Sequence, residues 1–166
     1  FPEANGHWVA ALEESLMRHS DRVLYVSHEL MKRDWDVVGD RAVFLDHGVD
    51  VDHFTLDGEV AADVAAIPRP RLGFFGGLDD YVVDMDLLRR TAVENPDASL
   101  VLIGDATCAM DELTRLPNVH WLGFRPYADI PALGRGFDVA LMPWLGNEWI
   151  RFANPIKLKE YLALGL

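Results

Sequence analysis

A chain of 166 residues, half of them hydrophobic and including five Trp and eight Phe, is long enough for one sizeable core and reads as globular rather than disordered. Its formal net charge of -12, with no cluster of Lys and Arg, argues against nucleic acid or an anionic membrane surface as a partner. Cys108 is the only cysteine, which excludes an intrachain disulfide and fits a reducing compartment, and no apolar run approaches the ~18 residues of a membrane span.

In chain order, Trp8 to His19 has the period of an amphipathic helix, with Trp8, Val9, Leu12 and Leu16 on its inner face. Val23 to Val26 forms a short buried strand, and Ser27 caps a helix over 28–35. Ala42 to Leu45 is a second strand, closed by the run Asp46 to Asp50. An acidic, Ala-rich stretch over 55–66 is expected to hold a short helix before Pro68 and Pro70 interrupt the pattern. Leu72 to Phe75 is then a buried strand ending in Gly76 and Gly77.

Beyond this point strands and helices alternate. Asp84 caps a helix to Glu94 with Met85, Leu88 and Ala92 inward. Leu100 to Ile103 is a strand ending in Gly104 and Asp105, followed by a helix over 110–116. Val119 to Leu122, with Trp121 in the core, leads to Gly123, Phe124 and Arg125. Asp129 caps a helix with Pro131 in its first turn, and Val139 to Met142 ends at Pro143. Unbroken aliphatic strands alternating with helices predict an α/β fold, a Rossmann-like parallel sheet covered by helices on both faces. Ligands in such folds sit at the carboxyl ends of the strands, where four candidate loops fall: 76–77, 104–105, 123–125 and 143–154. They converge only if the strands are neighbours. The expected organisation is a first Rossmann-like unit over 1–50, a linker over 51–70 and a second unit over 71–166. The start at Phe1 and the stop just after Gly165 suggest a piece of a longer protein.

The last helix carries the most chemistry. Asn154 suits the N-cap and Pro155 the first helical position. The amides of Ile156 and Lys157 then lack helical partners and suit an anion, to which Lys157 adds charge. Glu160 lies one turn on, about 4.5 Å along the axis and on the same face. A phosphate clamp with a carboxylate at that distance fits a phosphate joined to a sugar diol, the tail of a nucleotide-sugar donor. Gly76 and Gly77 are either a tight turn or part of this cradle. They are not a dinucleotide fingerprint, because the G-x-G-x-x-G spacing is absent. Trp144 and Trp149 flank a loop that could line the site, and His47 reads as structural. No metal-ligand spacing is present, so no metal and no separate cofactor are expected.

Three stretches, Arg22 to Ser27 with His47 to Asp50, Leu72 to Gly77 and Asn154 to Leu166, resemble the retaining glycosyltransferases of GT-B architecture, group 1 or family 4. Within that group they are most similar to bacterial enzymes of capsule, exopolysaccharide or teichuronic acid assembly. The resemblance implies that residues 1–50 are the edge of an acceptor-side domain and 71–166 a truncated donor-side domain. It implies a nucleotide diphosphate sugar as donor, a glycan or lipid-linked acceptor docked through a missing N-terminal domain, and a cytoplasmic location, peripheral at the inner face of the membrane through that domain. Glu160 matches the family's ribose-binding carboxylate, and Phe124 and Arg125 stand where the base is held.

Two departures accompany the match. Phe152 replaces the first carboxylate of the paired motif, with Glu148 the nearest substitute, and the run 77–81 carries Asp79 and Asp80 where the family has a basic pair. Arg151 and Lys157 must then neutralise the diphosphate, because a helix terminus alone contributes only ~0.3–1 kcal/mol at an exposed site. Gly76, Gly77, Phe124, Arg125, Arg151, Asn154, Ile156, Lys157 and Glu160 are thus the expected donor contacts, with no catalytic residue assigned. The rival readings are a non-catalytic GT-B scaffold and a sugar-nucleotide epimerase.

Overall fold

The computed structural model describes residues 5–55 and 57–166. The chain divides into two units, one built from the described part of Phe1–His47 with Arg151–Asn154, the other from Gly48–Ile150 with Pro155–Leu166.

The larger unit is built on four strands. Aliphatic and aromatic runs flanked by Gly and Pro form β3 (Arg71–Phe75), β4 (Ser99–Ile103), β5 (Val119–Trp121) and β6 (Val139–Ala140), after β1 (Val23–Tyr25) and β2 (Ala42–Phe44) of the smaller unit. The order is β5-β4-β3-β6 and every pair is parallel, with Gly73 opposite Val101 on one side and Ala140 on the other. All five residues of β4 are buried. Alternate side chains feed two cores: Val101 and Ile103 meet Phe54, Phe75, Phe137 and Tyr161 on one face, while Leu100 and Leu102 meet Phe74, Leu88 and Leu113 on the other. A central parallel strand covered on both faces accounts for the unbroken apolar sequence.

The helix Met85–Glu94 starts where expected: the Asp84 carboxylate accepts from the Leu87 N–H, and Leu88 and Ala92 turn inward. Asp129 stands at the N-cap of Ile130–Gly134, but its side chain makes no capping bond. The helix over 110–116 shrinks to Asp111–Thr114. Trp121 is not core. It is 40% exposed at the sheet edge, and its indole N–H donates to the Gly104 carbonyl at 2.9 Å.

Residues 51–70 are an integral part of this unit rather than a linker. Phe54 and Val64 are fully buried, and the Ala61 N–H donates to the Ala132 carbonyl at 2.9 Å. Helix within this stretch is limited to Ala62–Ala65, and Leu56 lies outside the described residues. Arg71, 5% exposed, donates to the carbonyls of Ala65, Ile67 and Gly136, tying the segment to the first residue of β3.

In the smaller unit β1 and β2 pair in parallel, Leu24 opposite Val43, as a two-stranded sheet among the described residues. Ser27 caps the helix His28–Arg33 by accepting from the Leu30 N–H. Tyr25 and Val38 are the buried apolar residues, and the Tyr25 hydroxyl donates to Asp34 at 3.2 Å. Arg41 fastens the helices by donating to the Met17, Ser20 and Val37 carbonyls. The helix Gly6–His19 forms, capped by Asn5, yet none of its residues is buried. The expected inner stripe is open to solvent, with Trp8 at 65% and Leu16 at 62% exposure. Amphipathic periodicity fixed the helix and its apolar face; it could not supply a surface to cover that face.

Candidate functional site

Because β5, β4 and β3 are neighbours, three of the four candidate loops meet at the carboxyl edge of the sheet. They enclose a cavity of about 490 Å³ with the start of the helix Ile156–Ala163. Its wall includes Gly76, Gly77, Gly104, Asp105, Phe124 and Arg125 from the loops, and Ile156, Lys157 and Glu160 from the helix. The sheet ladder runs on past the strand ends: the Gly76 N–H donates to Ile103, the Gly104 N–H to Gly123 and the Leu78 N–H to Asp105, each at 2.8 Å.

Gly76 and Gly104 adopt φ of 148° and 140°, which L side chains avoid. A Cβ on Gly104 would lie 2.0 Å from the Gly76 carbonyl oxygen, and one on Gly76 would lie 2.3 Å from Lys157 Cε. The first glycine lets two loops touch; the second lets the lysine stem cross the strand end. A Cβ on Gly77 would meet nothing within 4 Å, so that position faces open space.

The helix is held from its middle. Tyr161 is 2% exposed, and its hydroxyl accepts from the Phe75 N–H at 3.2 Å, fixing the turn to the end of β3. Gly134 makes room for Leu164, and Gly165, at φ 76°, closes the helix with its N–H donating to Leu162 and that of Leu166 to Tyr161. Glu160, beside the anchored tyrosine, is 6% exposed and lines the cavity. Burial pushes its carboxyl above the ordinary range, while electrostatic interaction with Lys157 and then His53 pulls it back. A desolvated acid facing a cavity suits hydrogen bonds from hydroxyl groups.

The helix start differs from the expected one. Pro155 is the N-cap and no side chain caps the helix. Asn154 instead donates its amide N–H groups to the Val26 carbonyl and to Asp46 Oδ1, both at 2.7 Å and within the smaller unit. The reason is competition: an Asn offered a backbone carbonyl and a carboxylate uses its donor nitrogen, leaving the helical amides uncapped. Arg151 likewise belongs to the smaller unit, where it pairs with Glu29 at 3.2 Å and lies 5.6 Å from the Phe152 ring centroid. Phe152 carries Arg33 at 6.0 Å as well, so the position where the family has a carboxylate is an aromatic seat for two guanidinium groups. Glu148 opens the exposed helix Glu148–Phe152 and does not line the cavity.

Arg125 does line the cavity, but it donates to Asp63 at 2.8 Å and to the Leu122 carbonyl at 2.7 Å, and it holds the Asp63 carboxyl below its usual range. Trp144 and Trp149 are absent from the wall; Trp149 meets Tyr81 edge-on at 6.4 Å. Sequence reasoning missed Tyr127 and Ile130, which complete the wall. The aromatic spacing of Phe124 and Tyr127 was the available signal. Among the described residues no group of three His, Cys, Asp or Glu could hold a metal, and no helix is long and apolar enough to cross a membrane. Burial raises the Cys108 thiol pKa, as for an inert side chain.

No family model matches the chain. Over 98 residues it is 34% identical to a protein of Bacillus subtilis (strain 168) described as "Putative teichuronic acid biosynthesis glycosyltransferase TuaH", a match covering 57% of this chain and 24% of that protein. Among solved structures it is similar to Anabaena Alr3699/HepE in complex with UDP, with a TM-score of 0.63, 19% identity and coverage of 99% of this chain and 49% of that one. The same protein with UDP and glucose gives 0.62, 18%, 99% and 48%. The chain therefore spans about half the length of the structures it matches and a smaller part of its curated relative. The sheet order, the helix-covered faces and these likenesses together establish a GT-B type α/β fold, the architecture that the sequence resemblance implied.

Proposed function

We propose that this chain carries the donor-binding part of a glycosyltransferase that moves a sugar from a nucleotide diphosphate sugar to a glycan or lipid-linked acceptor. The cavity at the carboxyl ends of three adjacent parallel strands, with Lys157 at one helix turn and buried Glu160 at the next, is the observation that carries this reading. The diphosphate lies against the amides of Gly77, Ile156 and Lys157 and the Lys157 ammonium, and the ribose hydroxyls donate to Glu160. The base extends toward Phe124. As the sugar departs, charge gathers on the leaving diphosphate. Amide dipoles and the ammonium, already aimed there, stabilise it without a separate cofactor or metal. Retention of configuration, assembly of an envelope polysaccharide and a cytoplasmic setting follow from the resemblance and belong to the same proposal. The acceptor is recognised by a domain outside this chain.

The pairing of Arg125 favours one rival. Of the two cations of the larger unit that line the cavity, Lys157 and Arg125, the second is already paired with Asp63. A scaffold that has lost donor binding would show this pattern. Titration of UDP and GDP decides between the two. The transferase reading predicts binding to the parent chain, weakened at least about tenfold by Lys157→Ala and by Glu160→Ala, the loss of one charge-assisted contact. Absence of binding to a chain shown to be folded supports the scaffold.

A further inference from the structure

His53 does not line the cavity, yet it sits behind one of its walls. Its ring stacks on Tyr127 with centroids 4.7 Å apart and planes 24° off parallel, and its Nε2 lies 3.2 Å from the Tyr127 carbonyl oxygen. The His53 backbone N–H donates to Asp50 Oδ1 at 3.0 Å, which fixes the turn carrying the imidazole. Behind the pair, Phe54 is fully buried, meets Tyr127 edge-on at 5.7 Å and stacks on Phe75 at 6.4 Å. A continuous aromatic series thus runs from the end of β3 to Tyr127. Tyr127 itself is 59% exposed and lines the cavity. An exposed ring at the start of a single 3-10 turn, Tyr127–Asp129, would normally change rotamer freely. Here one face is occupied by His53.

Tyr127 and Glu160 line the same cavity as Gly76, which the Lys157 stem crosses. Burial, followed by the Glu160 carboxylate, raises the Tyr127 hydroxyl pKa. Glu160 stands one helical turn beyond Lys157, away from the amino end that suits a phosphate.

We propose that His53 is a positioning residue that holds Tyr127 as the nucleoside-side wall of the cavity, so that the free face of the tyrosine packs against the base or ribose of the ligand. This rests on the nucleotide-binding reading above. Sequence reasoning could not reach it, because His53 and Tyr127 are 74 positions apart and neither belongs to the last helix. Stacking on a preset ring avoids the ordering cost that a mobile ring would incur on binding. His53 contributes through Tyr127, and His53→Phe separates that contribution from its electrostatic effect on Glu160.

The test uses the intact chain with two probes, UDP and inorganic pyrophosphate, and the variants Tyr127→Ala, His53→Ala, His53→Gln and His53→Phe. Tyr127→Ala and His53→Ala are expected to weaken UDP about tenfold, within the range for losing an aromatic partner of a base, and to leave pyrophosphate affinity unchanged. His53→Phe, which keeps the stack, restores UDP affinity; His53→Gln, which keeps a polar group but no ring, does not. UDP binding that is unaltered by His53→Ala overturns the proposal and leaves the donor-site reading standing. Equal losses for UDP and pyrophosphate also overturn it, since they show general damage to the cavity. If the folded parent chain binds neither probe, the donor-site reading fails and this inference fails with it.

Discussion

The two units use similar sequence patterns to different ends. In the larger one, β4 is buried along its whole length, because β3 and β5 flank it and helices cover both faces. In the smaller one, β1 and β2 form a two-stranded sheet among the described residues, Leu24 is 60% exposed, and no residue of the helix Gly6–His19 is buried. The apolar runs are equally clear in both. Burial depends on having neighbours in the sheet, and two strands rarely form an independent core. Stability and ligand chemistry should therefore concentrate in the larger unit, and four comparisons measure how far they do.

The largest effect is expected from Leu102→Ala. Leu102 is fully buried in β4, so the change should cost ~2–5 kcal/mol, the range for emptying a packed leucine site. The same substitution at Leu16 should move stability by no more than about 0.5 kcal/mol. Chemical denaturation of both variants checks the contrast, and equal costs would show that the helix Gly6–His19 is packed after all.

Next comes the glycine pair. Gly104→Ala meets the Gly76 carbonyl and a disallowed φ together, so both stability and UDP affinity should fall. Gly77→Ala has open space for its methyl group and should leave the melting temperature unchanged while reducing UDP affinity. Thermal melts alongside titrations separate the two outcomes.

Lys157→Ala should reduce UDP affinity by ~1.5–3 kcal/mol, as for one charge-assisted hydrogen bond, with little change in stability. Arg125→Ala should reduce that affinity less, because the Arg125 guanidinium is already held by Asp63 and the Leu122 carbonyl. Titration of both variants tests the division of labour.

The smallest expected effect is on pH dependence. Burial raises the Glu160 pKa above its unfolded value, so the folded chain binds the proton more tightly. At pH 7 the ionised group is then destabilising. That penalty fades as pH falls through the folded pKa toward the ordinary carboxylate value. Glu160→Gln should therefore stabilise the unliganded chain at neutral pH, lose that advantage in acid, and weaken UDP binding. Denaturation midpoints of parent and variant across pH 4 to 7 measure the sign.

Much of the fold was legible because period and punctuation act locally. Asp84, Ser27 and the aliphatic strands did as their types dictate, and the carboxyl-edge location of the cavity followed from parallel strands. What failed was tertiary. Asn154 has the right type for a cap, but a carbonyl and a carboxylate brought from Val26 and Asp46 claim its amide. Arg151 has the right charge, but Glu29 neutralises it from 122 positions away. Phe54 and Val64 read as linker because their partners, Phe75 and Phe137, appear only when the sheet closes. That Gly76, Lys157 and Glu160 share one cavity was readable; which residues stand behind its walls was not.

The central claim, that the cavity bounded by Gly77, Ile156, Lys157 and Glu160 receives a nucleoside diphosphate, is tested most directly by amide chemical shifts recorded as UDP is added to the labelled chain. The account predicts saturable shifts centred on Gly77, Ile156 and Lys157, reduced in parallel by Lys157→Ala. Shifts confined to the smaller unit, or a folded spectrum indifferent to UDP, would contradict it.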